Sequence, residues 1–352
     1  MKSPLSVTSP VADGMLAGLR LRFLRTALQT PRVLASRLGW GPRKNEGVAL
    51  SPELRWLLRV LSWDPADYAS ASPGTLRSSF RAIATSEMSG PWIDLQTEDF
   101  LVDGNESKIA TRVYTPRYAK HPSPLIFWMH GGGWVIGSIE THDRFCRQLC
   151  EATGAIVVAV DYRLAPESPF PAALDDVRSV WSWIRHNTDE LGADPSRLAI
   201  GGDSAGGQMT SVLCQELPLE ERPALQILCY AGADFTVIRE SRKRFEKGFL
   251  LDSVLIDWFL THYARGRDWS VPQLSPLYGE LADQPPALVV TAGLDPLLDE
   301  GLAYLELLEN SGSHTVHQHL PCMIHGFITW TGVLPGAAIA IDDMATHIRE
   351  ML

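Results

Sequence analysis

Ile200-Gly201-Gly202-Asp203-Ser204-Ala205-Gly206-Gly207 is the stretch that organises this 352-residue chain. Before it, Arg197-Leu198-Ala199-Ile200 is a short apolar run that reads as a buried strand; after it, Gln208 to Leu217 reads as a helix. Ser204 then sits on a sharp strand-to-helix turn with a glycine two residues away on either side, the spacing of a nucleophile elbow. Such a turn crowds its neighbouring backbone, and Gly202 and Gly206 carry no side chain to collide. The helix starting there aims its N–H groups and the positive end of its dipole at Ser204, where negative charge would develop. Gly-x-Ser-x-Gly alone is a weak signal, since many short glycine-rich matches mark only a tight turn. The rest of the chain decides it.

Outward from that turn, strands and helices alternate. Towards the N-terminus the pattern predicts helices over Pro52–Val60 and Ser72–Ile83, then strands Asp94–Leu101 and Ser107–Tyr114 joined at Asp103-Gly104-Asn105. Strand Leu125–Met129, helix Asp143–Ala152, strand Ala155–Val160 and helix Ala172–Asn187 follow. Past the elbow come strand Leu225–Tyr230, an irregular and helical insert over Phe235–Gly266, strand Ala287–Ala292, helix Glu300–Asn310, strand Thr315–Leu320 and a helix near Ala337–Leu352. Continuous apolar strands alternating with helices predict an α/β domain, a mostly parallel sheet covered on both faces, with extra helical pieces.

Three further sites belong with the serine. Met129-His130-Gly131-Gly132-Gly133-Trp134 lies just past a strand, with His130 74 positions ahead of Ser204. Consecutive glycines let backbone N–H groups approach a ligand, and in serine hydrolases such groups, with that of the residue after the nucleophile (here Ala205), hold the oxyanion. A P-loop would need a following Lys-Ser/Thr, which is missing. Asp295 follows the strand Ala287–Ala292, on the rim where parallel strands end. Locally, a third catalytic group and a helix cap before Pro296 fit it equally, whereas Asp299 suits a structural role. His325 follows the last strand, in Met323-Ile324-His325-Gly326-Phe327, and Ser204, Asp295, His325 is the chain order of α/β-hydrolases. His314, His317 and His319 invite a metal reading, but no H-E-x-x-H or paired-cysteine pattern accompanies them, so no metal or other cofactor is expected. Cys322 and the 11 tryptophans read as packing groups.

Composition sets the outer limits. Apolar residues make up 45% and charged residues 20%, as in ordinary globular proteins, and no apolar run reaches the roughly 18–20 residues of a membrane span. Five scattered cysteines argue against a disulfide framework and for a reducing, cytoplasmic setting. No secretory signal is apparent. The net charge of −10 is uneven: residues 1–60 hold ten Lys/Arg against three Asp/Glu, leaving an acidic body unsuited to nucleic acid. Gly14–Trp40 carries the basic excess, with Leu16, Leu19, Phe23, Leu24, Ala27 and Leu28 at helical spacing up to Pro31. Three readings of it stay open: a cap helix, a lipid-surface helix, or a mitochondrial transit segment.

With these residues in view, the chain resembles the hormone-sensitive-lipase-like α/β-hydrolases, bacterial family IV esterases in particular. The resemblance runs from about residue 90 onward. It rests on His130-Gly131-Gly132-Gly133-Trp134, Asp161-Tyr162-Arg163-Leu164-Ala165-Pro166-Glu167, Gly202-Asp203-Ser204-Ala205-Gly206-Gly207, Asp295-Pro296-Leu297-Leu298-Asp299 and His325-Gly326-Phe327. It implies an α/β-hydrolase fold with an eight-stranded sheet, and cap segments over residues 1–90 and 235–270 on a catalytic domain of 91–352. It also implies a Ser204–His325–Asp295 triad, oxyanion donors at Gly132, Gly133 and Ala205, and loop shaping by His130, Gly131, Gly202 and Gly206. The Asp161 block is expected to be structural. The activity implied is hydrolysis of short- to medium-chain carboxylic esters through an acyl-enzyme, without a cofactor. Amides or lactones suit the same machinery, and a receptor resembling the gibberellin receptors is the alternative from another class, although those lack the histidine. Pairing of two copies through the last strand and helix is a habit of relatives.

Overall fold

The computed structural model describes residues 44–45, 48–62, 71–86 and 90–352. The chain divides into two units, Met1–Pro65 and Ala66–Leu352. In the first, an antiparallel pair of two-residue strands, Lys44–Asn45 and Val48–Ala49, precedes the helix Pro52–Ser62. The basic stretch Gly14–Trp40 lies outside the described residues.

The second unit opens with α1 (Pro73–Ala84), where the Ser72 side chain accepts the Thr75 N–H and Pro73 takes the first helical position, as the sequence signals. Next come β1 (Gln96–Asp103), β2 (Lys108–Thr115), β3 (Ser123–Met129), α2 (Ile139–Thr153), β4 (Ile156–Asp161) and α3 (Ala172–His186). Strand β5 (Ala193–Asp203) leads into α4 (Ala205–Glu216), followed by β6 (Leu225–Cys229). The insert contains a short turn of helix, Glu240–Arg244, and α5 (Ser253–Ala264). Strand β7 (Ala287–Leu294), α6 (Leu298–Asn310), β8 (Thr315–Ile324) and α7 (Pro335–Met351) complete the order.

Among the described residues the eight strands form one sheet in the order β8-β7-β6-β5-β3-β4-β2-β1. The β1–β2 hairpin and the β2–β4 pair are antiparallel, and every other pairing is parallel. The chain is therefore of the α/β-hydrolase class. Leu125, Phe127, Ile156, Val158, Leu198 and Ile200 from the strands share one buried cluster with Val177, Val180 and Trp181 of α3 and Met209, Val212 and Leu213 of α4. Each such side chain contributes about 1.5–3 kcal/mol by leaving water, so helix-on-sheet burial sets the layering.

Element boundaries differ from the sequence expectation where glycine or an unusual cap is involved. Strand β5 runs on to Asp203 instead of stopping at Ile200, because Gly201 and Gly202 pair with Trp128 and Met129 of β3 and with Ile227 and Leu228 of β6. Helix α4 begins at Ala205, not Gln208; its first-turn glycines are poor helix formers held by packing. Helix α2 begins four residues before the expected Asp143, at a capping box in which Ser138 and Thr141 exchange side-chain-to-backbone hydrogen bonds. Strand β8 continues past Leu320 through a register irregularity to Ile324. None of the five cysteines forms a disulfide, and no helix among the described residues is long and apolar enough to cross a membrane.

Candidate active site

Ser204 stands between the end of β5 and the first residue of α4 with φ 53° and ψ −115°, a conformation a side-chain-bearing residue seldom adopts. Three hydrogen bonds hold it there. Its N–H donates to the Cys229 carbonyl at 2.9 Å, and its carbonyl accepts the N–H groups of Gln208 at 2.9 Å and Gly232 at 3.4 Å. A Cβ on Gly202 would run into the Gly206 backbone, and one on Gly206 into the Met129 carbonyl. These two glycines are demanded by contact, as the elbow spacing implies.

His325 and Asp295 reach the serine from the ends of β8 and β7. His325 Nε2 lies 2.8 Å from Ser204 Oγ, and His325 Nδ1 lies 2.8 Å from Asp295 Oδ2. Asp295 is completely buried. Its other oxygen, Oδ1, accepts the Leu297 N–H at 2.8 Å, so one carboxylate both organises the turn into α6 and faces the imidazole. The capping reading of Asp295 fails, because Leu297 takes the cap position of α6 without a side-chain cap bond and Pro296 stays outside the helix, while the carboxylate does face the imidazole. Oδ2 accepts from Nδ1–H, which leaves Nε2 free to accept from the serine hydroxyl. Asp299 instead accepts the Ser241 N–H at 2.8 Å and ties α6 to the insert. The Tyr230 ring packs on the imidazole, centroid to centroid 4.7 Å, and meets Phe327 on another side.

The glycine loop leaves β3 beside this group. Gly132 and Gly133 have φ of 118° and 57°, and a Cβ on Gly131 would overlap the Asp203 carboxylate. Asp203 Oδ1 accepts the Gly131 N–H at 2.9 Å and lies 3.3 Å from His142 Nε2. Burial alone would push the Asp203 carboxyl up, but the neighbouring His142 and the Gly131 N–H outweigh it and hold the group below the ordinary carboxylate value. The residue between Gly202 and the nucleophile therefore pins the loop to the elbow. His130 donates from Nδ1 to the Gly131 carbonyl at 2.8 Å, and burial beside His142 drops its pKa to about 3, so it stays neutral. Tyr162 stacks on His130 at 4.2 Å and donates to its carbonyl at 2.7 Å.

The Asp161 block acts as a brace. Asp161 accepts the Ile139 N–H at the start of α2, Arg163 pairs with the buried Asp176, and the Ala165 N–H donates to the Trp134 carbonyl at 2.9 Å. Arg77 of α1 forks onto Glu167 and also donates to the carbonyls of Val135 and Ala165. Sequence reasoning assigned no part to Arg77, His142, Asp203 or Tyr230. Only Asp203, inside the elbow motif, had a neighbour that pointed to it. His317 and His319 both hydrogen-bond Thr291, at 2.8 and 2.9 Å, and no group of three or more metal-ligating side chains occurs among the described residues.

Sheet order, elbow and imidazole pairing define the class, an α/β-hydrolase, and comparison with known proteins narrows it. A family described as alpha/beta hydrolase fold matches residues 126–329. The chain is 39% identical to the carboxylic ester hydrolase LipN of Mycobacterium tuberculosis over 87% of its own length and 84% of LipN. It is 35% identical to an ethyl acetate hydrolase of Pseudomonas putida, over 63% of this chain and 73% of that one. The ester-hydrolase EH1AB1 from the Lake Arreo metagenome superposes with a TM-score of 0.82 at 36% identity, covering 86% of this chain and 98% of that one. The chain belongs to the hormone-sensitive-lipase-like esterases, carboxylic-ester hydrolases of the α/β-hydrolase superfamily.

Proposed function

We propose that the chain cleaves short- to medium-chain carboxylic esters through an acyl-enzyme on Ser204. Ser204 Oγ attacks the ester carbonyl carbon while His325 Nε2 takes its proton, and Asp295 holds the tautomer and stabilises the imidazolium that forms. The carbonyl oxygen, now an alkoxide, is held by N–H groups of Gly132, Gly133 and Ala205 at the dipole end of α4. Collapse of the intermediate expels the alcohol, which His325 protonates. Water, deprotonated by the same imidazole, then attacks the acyl carbon; Ser204 leaves with the returned proton and the acid is released. No step calls on a metal or organic cofactor.

The observation that carries this reading is the unbroken relay of 2.8 Å contacts from Ser204 through His325 to Asp295. The family supports ester chemistry, and a relative named for ethyl acetate supports small acyl groups. Purified protein should hydrolyse p-nitrophenyl esters, with the highest kcat/KM between acetate and octanoate. Ser204→Ala should remove turnover of p-nitrophenyl butyrate. Wild-type rates in that variant would take Ser204 out of the mechanism, and an optimum at palmitate would overturn the chain-length assignment.

A further inference from the structure

Helix α5 lies in the insert after β6 and supplies none of the groups assigned above. Two of its side chains, Phe259 and Tyr263, stand four residues apart and so share one helix face. They meet consecutive residues of the glycine loop. A Cβ on Gly133 would overlap the Phe259 ring, so that ring rests on the bare Cα of the glycine. The Tyr263 ring lies flat on the Trp134 indole, with centroids 4.3 Å apart and planes 7° apart. Both aromatic side chains are buried.

The loop residues they cover are the ones least able to hold their shape alone. Gly133 and Trp134 have φ of 57° and 60° in succession. Glycine enters that region freely, but tryptophan does so only when its surroundings force it. Around Trp134 those surroundings are the Tyr263 ring, the Ala165 N–H on its carbonyl and Gln208 Oε1, 3.3 Å from its Nε1. Helix α5 is fixed in turn: the Asp252 side chain caps it through the Leu255 N–H, and the Tyr263 carbonyl accepts the Phe170 N–H at 2.9 Å.

We infer that α5 is a positioning element for the oxyanion loop, with Phe259 and Tyr263 clamping the Gly133–Trp134 turn so that the Gly133 N–H points at the developing alkoxide. The inference rests on the oxyanion role proposed for the glycine loop. A clamp differs from a pocket wall. A wall acts on substrates long enough to touch it, through KM, whereas a clamp acts on every substrate through the transition state. Loss of a single oxyanion donor lowers rates on the order of 10²–10³-fold, and imperfect aim gives part of that loss.

The test uses p-nitrophenyl acetate, the smallest acyl group in the series. In Phe259→Leu and Tyr263→Leu, kcat should fall about tenfold or more with KM within about twofold of wild type, while Tyr263→Phe, which keeps the stacked ring, should retain kcat. Retained kcat in both leucine variants, or a loss confined to KM on longer esters, overturns the clamp. A second measurement needs no substitution. Treating the wild-type protein with ethyl p-nitrophenyl methylphosphonate forms an Oγ–phosphorus bond at Ser204, releases p-nitrophenolate and leaves the serine proton on His325. With a phosphoryl oxygen seated against the glycine loop, amide hydrogen exchange over residues 253–264 should slow; unchanged exchange there overturns the proposal. A wild-type protein without esterase activity would instead defeat the functional reading itself.

Discussion

At the scale of single residues, the site is economical in its use of carboxylates. Asp295 uses one oxygen on the backbone of its own turn and the other on His325. Asparagine has one side-chain oxygen, so keeping the acceptor for the Leu297 N–H turns its amide N–H onto Nδ1, upsetting the tautomer that leaves Nε2 free to accept. Asp295→Asn should therefore fold normally, as judged by circular dichroism, while kcat on p-nitrophenyl butyrate falls by about 10³–10⁴-fold. A loss below about tenfold would leave the aspartate with only its turn-forming part. Residue types and spacing single out Ser204 and His325 in the sequence, whereas a catalytic part for Asp295 stands level with a helix cap until the family resemblance favours it. Tyr230 and Phe259 were not legible. A buried aromatic ring looks the same on paper whether it fills a core or touches an imidazole.

At the scale of elements, the strand-helix order could be read because apolar runs and helical periodicity are local properties. The ties that hold elements at the site are not local. Arg77 sits in an exposed-looking helix, yet it spans from α1 to Val135, Ala165 and Glu167, 58 to 90 positions away. Nothing near it in the chain marks that role. Hydrogen bonds to a charged group contribute about 1.5–3 kcal/mol each, less where solvent screens them, as at the exposed Glu167 end. Arg77→Met should thus lower unfolding free energy in urea by about 1–3 kcal/mol, chiefly through the two carbonyls it leaves unpaired. Arg77→Lys should recover only part of this, because one ammonium cannot reproduce the guanidinium fork. A midpoint unchanged from wild type would show that α1 stays docked without the arginine.

Across the whole molecule, stability and pH are linked through buried carboxyls. Glu300 of α6 is buried and accepts the Ala233 N–H at 2.9 Å, and burial pushes its pKa up to about 8. The sign follows from proton counts. Between the ordinary glutamate value and about 8 the folded protein binds a proton that the unfolded chain has lost, so stability from this group falls as pH rises through that window. Replacing it with glutamine keeps the acceptor and removes the titration. Denaturation curves at pH 5 and pH 8.5 should show wild type losing more stability than Glu300→Gln, the difference on the order of a few kcal/mol. Parallel losses in the two proteins would mean that Glu300 is ionised throughout.

The order of the strands also has a consequence for how activity first arises in the cell. Every residue that bonds the nucleophile turn has been translated by Gly232, but the imidazole proposed to deprotonate the serine lies 121 positions beyond it, just past the outermost strand. On the proposed mechanism, a chain that stops between Gly232 and His325 holds the nucleophile but lacks the base that activates it. If His325 is the base, esterase activity then waits on the docking of that edge strand.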